Sequence, residues 1–584
     1  MTGLPITQLT WNLDEIISSD DSTFDSFAED LQNISTELQE FQKKLSNEPI
    51  SCDLTLLTII KSAERLLNKA YTLQLSIQIV ATARNEHSGL LPLLQQQAMA
   101  VYNACLSAVG EQLRCISPLI LESRNSGLSP YRVFLEKIVQ SNTPQPIQIH
   151  SDEPSSDGNH SDYSALIEYY QLRRSMHLAV ASVDPNPLSI TDTFLVLRTD
   201  CPNKQQAAFQ AYSNWMQENQ GVFSTLYSRR VLSTKLEREQ LRHQPWRSYS
   251  AQESIIPEIH AEFVLDSNAI DLFHRFERAR LGLSENEEAP FFRKFTITGA
   301  SDNKSKETDS YQLLMAGFRS LSSEVETFVG NMFAKGRIFT NSIHSPNRGI
   351  NCVGVPNIGP FISAPMRSGD GAILTRLAHE LGHAYQKTLA GNCSYFCHGI
   401  ERLLSESIAT FFEIWILDFI LKHQKSYYLG TNQRIAFLAS LFEDLFERTA
   451  MALYENTCAK MTESDLANPQ ILSQIWRKAH QPLLHGLYSL PAEFDHWWID
   501  HSMMFRYPLA QSYYPAATLI GLALFFKAQQ DPVVFMKNFN RQLALGGTIP
   551  FSSWGDPLEI DMHNPQSTKS AMLFLQEAMQ TIEP

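Results

Sequence analysis

The stretch Leu377-Ala378-His379-Glu380-Leu381-Gly382-His383-Ala384-Tyr385 carries an H-E-x-x-H sequence within a segment of helical apolar spacing. From Ile373 to Ala390 the apolar residues Leu374, Leu377, Ala378, Leu381, Ala384 and Tyr385 recur at three- and four-residue steps. That pattern predicts a helix with one buried face, and Gly391 follows where a C-terminal cap is expected. On such a helix His379 and His383, four apart, project side by side and can grip one metal ion. Glu380 points roughly 100° further round the axis. It is a poor ligand there, but it is placed to deprotonate a water that the metal activates. These residue types at this spacing imply the zinc-binding core of a peptidase.

Two histidines leave a catalytic zinc short of one protein ligand. A third His ten residues after the first would complete one common arrangement, but Leu389 occupies that position. The other common solution is a Glu on a following helix, for which Glu401, Glu406 and Glu413 are candidates. Ser405 to Leu421 (SESIATFFEIWILDFIL) is apolar almost all round and predicts a buried helix, too short and too interrupted by Glu413 and Asp418 to span a membrane. A carboxylate buried there is costly unless it meets a cation or hydrogen-bond donors. That singles out Glu406 and Glu413, seven apart on one face. Glu406 is the expected ligand; Glu413 either supports the ligands from behind or is a paired buried acid, and Glu401 is a solvated or capping residue.

The remaining composition bounds the function. The chain has 584 residues, 43% apolar and 19% charged, as expected of a globular protein with two or three domains. A formal net charge of −15 argues against nucleic acid or an anionic membrane as a partner. Met1 to Asp21 contains four acidic residues and no Lys or Arg, unlike a secretory signal. Eight cysteines do not make a disulfide framework in a chain this long, so a cytoplasmic location is the default. Cys393, Cys397 and His398 form a C-x-x-x-C-H cluster, but no matching pair of ligands lies nearby to complete a second metal site.

The first third reads as helices: Asp25 to Leu45, Leu54 to Ala81 and Leu90 to Leu113 show apolar periodicity with few breakers. Ser141 to Ser164 turns to Ser, Pro, Asp and Asn and reads as a loop or flexible insertion. Helical pattern resumes at Ala165, with a long helix over Gln205 to Arg242. From Phe333 to Ser368 short β-prone runs, Arg337 to Thr340 and Phe361 to Ser363, predict a small sheet just before the metal helix. Its edge either aligns a substrate backbone by strand addition or merely packs on the helix.

With these residues in view, the sequence resembles the oligoendopeptidase F branch of the thimet oligopeptidase family of zinc peptidases. LAHELGHAYQ is similar to that family's metal helix and SESIATFFE to its glutamate helix, in which the ligand begins the motif and a second Glu follows seven later. The 27 residues from His379 to Glu406 suit that branch. Family members often carry a further His where Gln386 stands. Trp11-Asn12-Leu13-Asp14-Glu15-Ile16 is similar to the amino-terminal W-D-L-x-x-L signature. Trp497 to His501, followed by Phe505, Tyr507, Tyr513 and Tyr514, looks like the His-and-tyrosines segment, although its tyrosines are more loosely spaced.

The resemblance implies a mainly α, elongated zincin-type fold with a small β-sheet beside the metal helix. It also implies an internal channel between a lid-like helical domain, residues 1–195, and a catalytic domain, 196–584. It implies one zinc ion per chain on His379, His383 and Glu406, Glu380 as general base, and His501 and Tyr514 as oxyanion donors. Tyr507 and Tyr513 are alternative or substrate-binding tyrosines. The expected activity is hydrolysis of internal bonds in short, unfolded peptides. A zinc aminopeptidase or carboxypeptidase of related fold, and a non-catalytic helical binding protein with a relic site, are the rivals.

Overall fold

The structure, a computed structural model, describes residues 11–13, 16, 23–47, 53–84, 90–113, 126–132, 134–136, 160–180, 183, 186–199, 201–241, 257, 259–296, 307–341, 350–366, 373–423, 431–564 and 568–582. It is mainly α-helical. Helices α1 (Thr23–Asn47), α2 (Asp53–Arg84) and α3 (Leu90–Leu113) pack together through the stripes predicted for them. Phe27, Leu31, Ile34, Leu38 and Phe41 of α1, for example, all turn inward. Buried side chains from Phe27 to Leu135 form one core, and those from Ala165 to Ile582 form a second, larger one.

Among the described residues several contacts join these bodies, including a small cluster of Leu75 and Ile79 of α2 with Val355 and Phe361. Phe396 and Cys397 of the large body complete the amino-terminal core. The backbone N–H of Tyr395 donates to Glu64 of α2 at 2.6 Å, while Tyr131 donates to the other oxygen of Glu64 at 2.7 Å. Trp11 reaches the sheet described below, its indole N–H donating to Ile362 O at 2.8 Å and its ring packing on Phe339 and Phe361.

Helix α4 (His160–Ser175) begins five residues inside the predicted polar stretch; positions 141–159 of that stretch lie outside the described residues. Helix α5 (Pro202–Leu241) matches the long helix expected there. The small sheet has the order β1-β3-β2: β1 (Ile338–Asn341) runs parallel to β3 (Gly359–Met366), and β2 (Asn351–Val355) antiparallel to it. The register Asn351 to Ser363 through Val355 to Gly359 leaves β2 as an edge beside the metal helix.

Helix α6 (Ile373–Leu389) carries the H-E-x-x-H stretch. The expected glycine cap is absent: Gly391 lies in a short 3-10 turn, Ala390–Asn392, without a left-handed backbone. Helix α7 (Arg402–Lys422) is the buried helix read from its composition, and Glu401 at its N-cap makes no side-chain capping bond. Farther on come α8 (Arg448–Cys458), α9 (Pro469–Leu484) and α10 (Tyr513–Gln530). Among the described residues no helix is long and apolar enough to cross a membrane.

Helix α7 lies between α6 and α10, and a glycine stands at each closest approach. A Cβ added at Gly382 would lie 2.8 Å from Ala409 Cα, and one at Gly521 3.2 Å from Ser407 O. At Gly382 the two nearest neighbours are backbone atoms, Ala409 Cα and Ile408 O, and cannot step aside. Replacing Gly382 by Ala is therefore expected to cost about 1–3 kcal/mol through overpacking, read as a lower urea midpoint. Gly391→Ala, where an added Cβ meets nothing within 4 Å, is the control. Equal midpoints for the two variants would contradict the close approach.

Candidate metal centre

On α6 the two imidazoles stand 5.0 Å apart between ring centroids, as the four-residue spacing demands. Glu406, in the second turn of α7, meets both. Its Oε2 lies 3.4 Å from His379 Nε2 and 3.7 Å from His383 Nε2. Ligands at 2.0–2.2 Å from a tetrahedral zinc are roughly 3.4 Å from one another. Among the described residues these three form the group of metal-ligating side chains, with atoms all within 4.8 Å.

The other ring nitrogens are occupied. His379 Nδ1 lies 3.1 Å from Glu413 Oε2, and His383 Nδ1 3.1 Å from Ser405 Oγ. An Nδ1–H donating to each oxygen leaves the Nε2 lone pairs aimed at one point. Glu413 thus stands behind the histidines, one of its two predicted places. Ser405 was not predicted, and nothing but its position next to Glu406 marks it.

The electrostatics of this cluster are those of a cation site. Burial alone would raise the Glu406 carboxyl, but the His379 hydrogen bond and the charges of His383, His379 and Arg402 hold it at about 2. Burial works against the charged form of His379, yet Glu406 and Glu413 raise it well above the ordinary histidine value. Glu380 is 6% exposed, and burial with the nearby Glu406 pushes it up to about 7 against the pull of His379. Its Oε2 is buried with no hydrogen-bond partner among the described residues. Two imidazole nitrogens, a carboxylate and an orphaned acid oxygen beside them fit a zinc ion and its water. Asp444, which sequence reasoning missed, is a partly buried acid 4.0 Å from Arg448 Nε: burial and the charges of Glu443 and Glu413 raise it to about 8 against the pull of Arg448.

A second wall comes from residues 499–514, and its side chains rest on arginines. Arg402, one turn before Glu406, lies over the Tyr507 ring at 4.7 Å and the Tyr513 ring at 5.5 Å. Arg448 lies over Tyr514 at 4.5 Å and donates to Gln511 Oε1 at 2.9 Å. Burial raises the Tyr514 hydroxyl, with Arg448 and Arg402 opposing and Glu406 adding to the rise. His501 packs on Trp476, 5.0 Å between rings. Burial lowers it to about 4, with Asp500 opposing and Arg448 assisting, so the imidazole is neutral at pH 7. No hydrogen bond or ion pair among the described residues joins His501 to His379, His383 or Glu406. Arg402 thus links the Tyr507 and Tyr513 rings to Glu406, 3.9 Å from its Nε, while His501 is placed by its packing on Trp476.

The wall's backbone is pinned from far away in sequence. Arg173 of α4 binds Asp500 Oδ1 at 2.9 Å, and Tyr212 donates to the same oxygen at 2.7 Å. Arg230 of α5 donates to Phe505 O and Arg506 O at 2.8 and 2.9 Å. Glu455 of α8 accepts from the backbone N–H groups of Leu509 and Gln511, both at 2.8 Å, which holds Leu509 in a left-handed conformation (φ 63°).

The C-x-x-x-C-H cluster gathers no metal group among the described residues. Cys393 Sγ donates to Ala544 O and Cys397 Sγ to Pro130 O, so both thiols serve packing. A cavity of about 610 Å³ opens between Asn68 and Tyr71 of α2, the β2–β3 turn and the segment after α6, reaching Ser405.

No family model matches the chain, and no curated protein matches it in sequence. Solved structures do. A protein assigned as a peptidase from Chlamydophila abortus superposes with a TM-score of 0.75 at 14% identity, covering 98% of this chain and 97% of its own. A structure of PZ peptidase A with an inhibitor gives 0.69 at 13% identity, over 94% and 97%. Oligoendopeptidase-F from Enterococcus faecium gives 0.64 at 13% identity, over 96% and 98%. Along nearly its whole length, the chain has the fold of the oligoendopeptidase F structures.

Proposed function

We propose that this chain is a zinc metalloendopeptidase that hydrolyses internal bonds of short, unfolded peptides, and that it belongs to the oligoendopeptidase F branch. The observation that carries the reading is the convergence of His379 Nε2, His383 Nε2 and Glu406 Oε2 while Glu413 and Ser405 hold both Nδ1 atoms. The peptidases whose fold it shares support the same reading.

A zinc ion in this ligand set supplies Lewis acidity, polarising the scissile carbonyl and acidifying a water. Glu380 takes the proton of that attacking water and returns it to the leaving amine. A carboxyl poised at about 7 is suited to both transfers near neutral pH. Tyr514, its ring under Arg448, donates a hydrogen bond to the developing oxyanion. His501, neutral at pH 7, is the second donor proposed, with Tyr507 and Tyr513 lining the substrate path. The amino-terminal helices act as a lid over the cleft, restricting entry to short peptides. A cytoplasmic location and one zinc per chain complete the proposal. An intact ligand set beside an orphaned Glu380 oxygen weighs against a relic site.

Two measurements test this reading. Wild type and Glu380→Gln are both expected to hold one zinc, with cleavage of an end-blocked, internally quenched peptide lost only in the variant. Full activity in Glu380→Gln, or a wild type that binds no zinc, would sink the proposal. Glu413→Ala and Ser405→Ala are expected to weaken zinc binding by about 10–100-fold in chelator competition. Unchanged affinity in both would mean that the two side chains do not support the ligands.

A further inference from the structure

Arg402 opens helix α7 one turn before Glu406 and on the same face. Its Nε stops 3.9 Å from Glu406 Oε1, beyond hydrogen-bond reach. The flat of its guanidinium is used, at 4.7 Å over Tyr507 and 5.5 Å over Tyr513. Its edge is not: among the described residues no hydrogen bond is made by any of its five N–H groups. The side chain is 38% exposed, so the unused edge is open to a ligand from solution.

A guanidinium stacked on rings is fixed in orientation, with its coplanar N–H groups directed outward in the plane. A purely structural arginine in such a setting satisfies its edge with carbonyls, as Arg230 does with Phe505 O and Arg506 O. Among the described residues the carboxylate beside Arg402 is that of Glu406, and the reading above commits that carboxylate to the metal. What matches a preoriented, planar fork beside the reacting centre is a second carboxylate, bound side-on through two parallel hydrogen bonds.

We propose that Arg402 is a specificity-determining residue that binds a substrate carboxylate immediately next to the scissile bond. The proposal rests on the peptidase reading. The carboxylate has two sources, an acidic side chain flanking the cleaved bond or the free carboxyl terminus of a peptide cut near its end. The second source corresponds to the exopeptidase rival, and Arg402 supplies the basic anchor that rival needs.

The test compares kcat/KM for end-blocked quenched peptides that carry Glu or Gln on either side of the cleaved bond. A second pair has neutral flanks and a free or an amidated carboxyl terminus. The wild type is expected to favour the carboxylate-bearing member of one pair by about tenfold or more, as for charge-assisted hydrogen bonds. In Arg402→Met that ratio falls to near one, while zinc content is retained. The Glu pair identifies a side chain as the ligand, and the terminal pair identifies a free terminus. An active wild type with no preference in either pair overturns the proposal, as does a preference that survives in Arg402→Met. An equal loss on both members of each pair also overturns it, by making Arg402 an oxyanion donor. The peptidase reading is judged separately: a wild type that holds zinc and cleaves any of these peptides upholds it whatever Arg402 does. The zinc-loaded Glu380→Gln variant, titrated with the same peptides by calorimetry, must show the same preference in Kd.

Discussion

The approach of helix α6 to helix α7 at Gly382 is the constraint on which the rest of the site depends. No side chain separates Gly382 from Ala409, and a Cβ there would sit 2.8 Å from its backbone. Around this contact the two helices present His379, one turn before Gly382, and His383, next to it, on one surface, and Glu406 and Glu413, one turn to either side of Ala409, on the other. Both histidines therefore meet both functions of α7: Nε2 faces Glu406, and Nδ1 meets Glu413 or Ser405. Gly521 repeats the device on the far side of α7, bringing α10 and its leading tyrosines against the same helix. Small residues at helix contacts let the backbones carry the spacing, so ligand positions follow from main-chain geometry rather than from flexible side chains.

The cost of the site is borne by buried charge. Glu380 is buried, and Glu406, Asp444, Arg448, Lys294 and Glu447 are partly buried, with Glu443 about half exposed beside Arg448. Two ion pairs offset part of that charge, Arg448 with Glu443 at 3.0 Å and Lys294 with Glu447, while the Glu380 Oε2 has no partner among the described residues. The same arginines face the tyrosines of the second wall, so the network that neutralises the acids also orients the rings opposite the ligands.

How much of this was legible in the sequence follows from the range of the interactions. The three proposed ligands were readable because one helix with apolar periodicity and one apolar almost all round each carry polar residues where none belongs. Glu406 stood out for that reason, and Glu413 with it. The strands at Ile338–Asn341 and Gly359–Met366 were visible as β-prone runs, but Asn351–Val355 was not singled out, since NCVGV is set by its pairing with β3. The wall at 499–514 was the least legible part. Its conformation is imposed by Arg173, Arg230 and Glu455, up to 327 residues away in sequence, and a left-handed Leu509 has no local signature. Arg402 and Ser405 were overlooked because charge and hydroxyl groups at a helix start are ordinary; only the tyrosines and His383 opposite give them meaning. Gly391 shows the reverse error, a cap residue in sequence that the chain uses inside a 3-10 turn.

The most direct measurement of the central claim is anomalous diffraction at the zinc edge from crystals of the zinc-loaded protein. The account predicts one peak per chain, about 2.0–2.2 Å from His379 Nε2, His383 Nε2 and Glu406 Oε2, with Glu413 and Ser405 still on the two Nδ1 atoms. No peak at that point, or a peak at Cys393, Cys397 and His398 instead, would contradict it.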